Sequence, residues 1–197
     1  MSNNITLIIN NQIQFPTSPW LEPCKALMLD HMQSDPAHCP QHFERVLKNA
    51  YIICNDLPIY KRPNPDVVAA SVYLHDLVNY PKDHALRSQA AEHSAKKACR
   101  LLREIDFPSH LLDEVDHAIS SHSLSGPQRP LSMCAKALCD ADACDSTGQV
   151  EFLRATATAT LLGNDLYCED DPFCSARTRE PQKYLLNHIL DRQEKLR

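Results

Sequence analysis

From Trp20 onward, apolar residues return every three or four positions, the period of helices with one buried face, and proline-rich breaks cut this pattern into segments. The first helix is expected over Leu21–Met32, stopped by Ser34-Asp35-Pro36. Pro40 opens a second, which carries His42, Val46, Leu47, Ala50 and Ile53. Pro63 and Pro65 precede a third over Asp66–Leu77, whose run Val67–Leu74 is apolar enough to be buried on every side. Pro81 makes a loop of Asn79–His84. Further helices are expected over Leu86–Ile105, Pro108–Ser121, Leu131–Ser146, Glu151–Leu162 and Pro181–Lys195, with loops at Ser125–Pro130 and an acidic one at Cys168–Thr178.

The first twenty residues follow another pattern. Ile5–Asn10 and Gln12–Phe15 are short β-prone runs around Asn10-Asn11, which reads as a hairpin before Pro16 and Pro19 break the chain. The expected organisation is an appendage over residues 1–20, or a dimer contact there, and one all-α domain over residues 21–197.

Composition excludes several functions. With 3 glycines in 197 residues and none in a phosphate-cradling loop, a P-loop or dinucleotide-binding site is ruled out. A net charge of −5 argues against a nucleic-acid binder. The 9 cysteines include no CxxC pair, so a zinc ribbon is not expected, and they read as reduced core residues. The amino terminus lacks the pattern of a signal peptide and no apolar stretch is long enough for a membrane span, so a cytoplasmic chain is expected.

The 10 histidines carry the chemistry. His75-Asp76 ends the apolar third helix with an imidazole and a carboxylate side by side, a donor mixture suited to Mn, Fe, Co, Ni or Zn and less well to Mg. His42 lies on an apolar helix whose valine and leucine at i+4 and i+5 turn it toward the core. Downstream, Asp140, Asp142 and Asp145 stand on an otherwise apolar segment, where a buried carboxylate needs a metal or a cation. Asp140 and Asp142 differ by about 200° around a helix, so they cannot both face one ion.

These residues resemble the HD superfamily of metal-dependent phosphohydrolases, in particular its small bacterial hydrolases, over roughly residues 25 to 197. The pattern is a first His, a His-Asp doublet one helix later and a distant Asp, matched by His42, His75-Asp76 and the Asp140-Ala141-Asp142 segment. The stretch from His75 to His84 matches HD-[IL]-V-x-x-x-K-[ND]-H, and an acidic Asp-Pro loop precedes the last helix. The D-A-D-R-L-[DE] form of the family places the fourth ligand at Asp142 rather than Asp140 and lets Asp145 face the same cavity. Ala143 stands where the family has Arg, and Cys144 where it has Leu.

The resemblance implies an HD-domain helical bundle holding a divalent metal through His42, His75, Asp76 and Asp142, and hydrolysis of a small phosphorylated substrate, a nucleotide for preference, by metal-activated water. Asp76 would also align the water, with Lys82, Arg87, His93 and His122 as candidates for holding phosphate or moving the proton. Glu92 beside His93 is a further candidate, as is His117, for which Asp113 one turn before it offers a partner. His31, His38, His110 and His188 are expected to have no function. Rival readings keep the fold and change the role: di-iron oxygenation, nitrile hydration, or a ligand-binding protein without catalysis. No nucleic acid or membrane partner is expected, and a homodimer is possible.

Overall fold

A computed structural model describes residues 8–9, 12–32, 39–80, 84–123, 126–161, 163, 165–172, 184–187 and 189–190. The helical elements are α1 (Leu21–His31), α2 (Pro40–Asp56), α3 (Pro65–Leu74), α4 (Ala90–Glu104), α5 (Leu112–Ser120), α6 (Met133–Asp145) and α7 (Gly148–Leu161). Single 3-10 turns at Arg87–Gln89 and Ser109–Leu111 lead into α4 and α5. Before them, β1 (Ile8–Ile9) and β2 (Gln12–Ile13) pair antiparallel, with Ile8 opposite Ile13. The expected hairpin is therefore present, while its Asn10-Asn11 turn lies outside the described residues. The chain then joins the helical body: Phe15 is buried in the main core, and Ser18 Oγ donates to Asp66 Oδ1 at 2.7 Å.

The bundle is arranged around α3. Val67 to Leu74 are all buried, and α3 packs against α1, α2, α4, α5 and α6. Its start follows from local chemistry. Pro65 occupies the first turn, where its missing N–H costs nothing, and Asn64 Oδ1 accepts the Asp66 N–H at 2.8 Å. Around it, α2 buries His42, Phe43, Val46, Ala50 and Cys54 at helical spacing. In α4, Ser94, Ala95, Ala98, Cys99, Leu101 and Leu102 face inward, whereas Glu92, Lys96 and Arg100 face solvent. The α4 terminus is closed by Asp106 in the left-handed region (φ 59°), with Phe107 N–H donating to Leu102 O at 3.0 Å. Ser132 caps α6 by accepting the Ala135 N–H at 3.1 Å.

One boundary differs in a way that shapes the site. The third helix is expected to run to Leu77 but stops at Leu74, so His75 and Asp76 lie at and just beyond its end. Groups on α4 satisfy the backbone there. Ser94 Oγ accepts the Val78 N–H at 3.0 Å and donates to Val78 O at 3.2 Å, while Lys97 Nζ donates to Leu77 O. No described helix is long and apolar enough to cross a membrane.

A second, smaller apolar cluster joins Ala155 and Ala159 of α7 to Leu185 and Ile189, separate from the main core. The expected carboxy-terminal helix is described only as helical residues 185–187 and 189–190.

Candidate metal centre

Four helix ends meet at one place. His42 comes from the first turn of α2, and His75 and Asp76 from the end of α3. His122 follows the end of α5, and Asp142 lies in the last turn of α6. Three of these four ends are carboxyl-terminal, the negative end of the helix dipole, which favours a cation.

The donor atoms are close. His42 Nε2 is 3.3 Å from His75 Nε2, 3.6 Å from Asp142 Oδ1 and 4.0 Å from Asp76 Oδ2. His75 Nε2 is 3.4 Å from Asp76 Oδ2 and 3.9 Å from Asp142 Oδ1. Ligands bonded at about 2.1 Å to one six-coordinate ion stand about 3.0 Å apart when adjacent and about 4.2 Å when opposite. These separations fall between those limits, and His42, His75 and Asp76 form one set of possible ligands to a single ion. His122 Nε2 reaches the same place, 3.6 Å from Asp76 Oδ1, and groups with His75 and Asp142 as a second set of possible ligands.

The orientation of each ring has a local cause. His75 Nδ1 lies 2.8 Å from Val72 O, and His122 Nδ1 lies 2.7 Å from Ile119 O. A carbonyl only accepts, so each Nδ1 carries a proton and each Nε2 faces the cluster. Both carbonyls lie three residues back, in the last turn of the helix that the histidine terminates, among the acceptors a helix end leaves open. His42 Nδ1 instead bonds Asp145 Oδ2 at 2.7 Å. Phe43 packs edge-on against both imidazoles, its ring centroid 5.2 Å from His42 and 5.3 Å from His75.

Asp145 is buried and held from three sides. Arg45 Nε donates to its Oδ1 at 2.5 Å, Arg45 Nη2 to its Oδ2 at 3.0 Å, and Arg154 Nη1 to its Oδ2 at 2.9 Å. Burial opposes its ionisation, yet the bonds from His42 and Arg45 hold the carboxyl well below the usual carboxylate range. Burial dominates at His42 and lowers its pKa. At His75 burial also lowers it, but the Asp76 and Asp142 carboxylates, with the Asp76 hydrogen bond, outweigh burial and raise the value to about 9. Of the two imidazoles, His75 is therefore the one that favours a further proton, on the Nε2 that faces the carboxylates.

Residues 41–147 match the family model for the HD domain. The chain belongs to the HD-domain family. Solved structures share the fold of this HD domain at low identity. A protein of Lactobacillus plantarum is 21% identical with a TM-score of 0.67, covering 91% of this chain and 82% of its own. Bacillus subtilis YpgQ is 21% identical with a TM-score of 0.62, covering 89% and 78%. YpgQ has also been solved in complex with ADP. An HD-superfamily hydrolase of Bacillus thuringiensis is 22% identical with a TM-score of 0.58, covering 89% and 79%. No curated protein matches the sequence.

Within this HD domain, His42, His75, Asp76, Asp142 and His122 come together, whereas Asp140 is exposed on the other side of α6. Lys82 lies outside the described residues. His93 bonds the Tyr80 hydroxyl at 2.8 Å and joins neither group of possible ligands. Glu92 is exposed and pairs with Lys96 at 2.5 Å, one turn along α4. Arg87 is occupied by Asn79 Oδ1 and Tyr80 O. His117 makes no ion pair with Asp113; its Nε2 accepts the Leu131 N–H at 3.0 Å and fastens the approach to α6.

Sequence reasoning missed Arg45 and Arg154. Arg45 had a signal, since it follows His42 by three residues and so shares its helix face. Arg154 had none, because its partner stands on the preceding helix. With Ala143 buried where the family pattern has Arg, these two arginines are the cations bonded to Asp145.

Proposed function

We propose that this chain is a divalent-metal-dependent phosphohydrolase acting on a small phosphorylated substrate of the nucleotide class. The observation that carries the reading is the convergence of His42, His75, Asp76, Asp142 and His122 in two overlapping sets of possible metal ligands that share His75. Of these, His42, His75, Asp76 and Asp142 would hold a divalent transition metal (Mn, Fe, Co, Ni or Zn), with Mg less suited to the two imidazoles. Such an ion, when bound, neutralises charge developing on phosphoryl oxygens and activates water.

The chain's own residues account for the proton. Asp76 divides its oxygens: Oδ2 faces His75, and Oδ1 faces His122 Nε2 at 3.6 Å. With its Nδ1 proton donated to Ile119 O, His122 turns Nε2 toward Asp76, where it takes a proton from the attacking water and returns it to the departing oxygen. Asp76 orients the water and stabilises His122 once it is charged. Lys82, six residues after Asp76 in the sequence, would supply a cation for the substrate's phosphate. The ADP complex of a protein of the same fold supports the nucleotide class.

The test is phosphate and pyrophosphate release across a panel of nucleotides with Mn, Co, Ni, Zn or Mg added. Turnover by the wild type is expected, abolished in Asp76→Ala. In His122→Gln, kcat should fall about 10²- to 10⁴-fold while metal is retained. A metal-loaded wild type that turns over no nucleotide would overturn this reading.

A further inference from the structure

Among the described residues, the α7 helix is tied to the metal centre by an arginine rather than by the core. There its apolar contacts, Ala155 and Ala159 with Leu185 and Ile189, form a cluster of their own. Its link to the histidine cluster is polar: Arg154 Nη1 bonds Asp145 Oδ2 at 2.9 Å, and the same oxygen accepts from His42 Nδ1 at 2.7 Å. Glu151, one turn earlier, places Oε2 3.7 Å from Arg154 Nη1 and steadies it. Arg154 Nε is buried without a hydrogen-bond partner among the described residues. Leaving a guanidinium nitrogen unsatisfied is costly, so this arginine is held in place by the contacts its Nη1 makes.

We infer that Asp145 is the positioning residue of the metal centre, and that Arg154 makes metal affinity depend on the seating of α7. The inference rests on the proposed metal site and adds its control. Asp145 keeps the His42 proton on Nδ1 and the ring aimed, so that Nε2 faces the ion, the task an outer carboxylate performs for a metal-bound histidine. Arg45 reaches Asp145 from α2, the helix that carries His42 itself, so it reports nothing about the rest of the fold. Arg154 reaches it from α7. When α7 leaves its seat, Asp145 loses a donor from the oxygen that orients His42. By linkage, an ion bound at the cluster must in turn hold α7 down.

Two readouts test this, both on the full chain. The first is Co²⁺ affinity, followed by its visible absorption, for the wild type, Arg154→Ala and Arg154→Lys. The second is hydrogen exchange of the α7 amides with and without Co²⁺. The wild type should exchange more slowly in α7 once the ion binds. Arg154→Ala should bind Co²⁺ about tenfold more weakly, within the 10- to 100-fold cost typical of outer-shell partners, and its α7 exchange should no longer respond. Arg154→Lys keeps one donor and should recover part of both effects. Unchanged affinity in Arg154→Ala overturns the inference. So does α7 exchange in the wild type that ignores the ion, a result that needs no variant to fold. A wild type that binds no Co²⁺ refutes the metal site itself, a distinguishable failure.

Discussion

Metal binding here must displace a proton, and pH should reveal it. In the metal-free protein His75 titrates near 9, against an ordinary 6.5, because Asp76 Oδ2 at 3.4 Å and Asp142 Oδ1 at 3.9 Å outweigh the cost of burying its charge. His75 is fully buried, so solvent screening does little to soften this. Each pH unit below that value costs an incoming ion about 1.4 kcal/mol, so at pH 7 the competing proton weakens binding about 100-fold, or about 3 kcal/mol. Raising the pH from 6 to 8 should therefore tighten Mn²⁺ about 100-fold. Calorimetry in buffers of different ionisation enthalpy should count about one proton released per ion at neutral pH. The same shift fixes a trend in the metal-free fold. The folded pKa lies above the unfolded one, so the stabilisation from protonated His75 is complete below about 6.5 and disappears as pH rises through about 9. Affinity that stays flat from pH 6 to 8, with no proton released, would refute this reasoning.

Three more outcomes are expected. Asp142→Asn should abolish stoichiometric metal, while Asp140→Asn, at an exposed position of the same helix, should leave it unchanged; elemental analysis of both variants decides. Phe43→Ala removes a fully buried ring that packs against two imidazoles and should destabilise the metal-free fold by about 3–5 kcal/mol in urea unfolding; a loss well under 1 kcal/mol would contradict the packing described. All described cysteines are free, and burial pushes the Cys24 and Cys54 thiols up to about 12. They should resist a thiol reagent until the protein unfolds, whereas exposed Cys144 should react at once.

The helical order was legible because proline and apolar periodicity mark helix starts and faces directly. The His-Asp doublet was legible because two metal donors at the end of an apolar helix are conspicuous. Choosing Asp142 over Asp140 needed the family pattern, since the sequence says only that the two face apart. The early end of α3 at Leu74 was hidden: no glycine or proline stops it, and the groups that accept the turn, Ser94 and Lys97, come from α4. Asp145 was readable as facing the cavity, but not as the anchor of His42. Its partners Arg45 and Arg154 meet it only through the packing of α2, α6 and α7. His117 shows the reverse error, where a helix-spaced Asp113 suggested an ion pair and the ring instead took a backbone N–H.

The central claim is that His42, His75, Asp76 and Asp142 hold a divalent metal. The most direct test is metal content by elemental mass spectrometry of the purified full chain beside Asp76→Ala. The account predicts a stoichiometric transition metal in the wild type and its loss in the variant, with circular dichroism showing the variant folded. A wild type that stays metal-free after incubation with Mn²⁺ or Ni²⁺, or a variant that holds as much metal as the wild type, would contradict it.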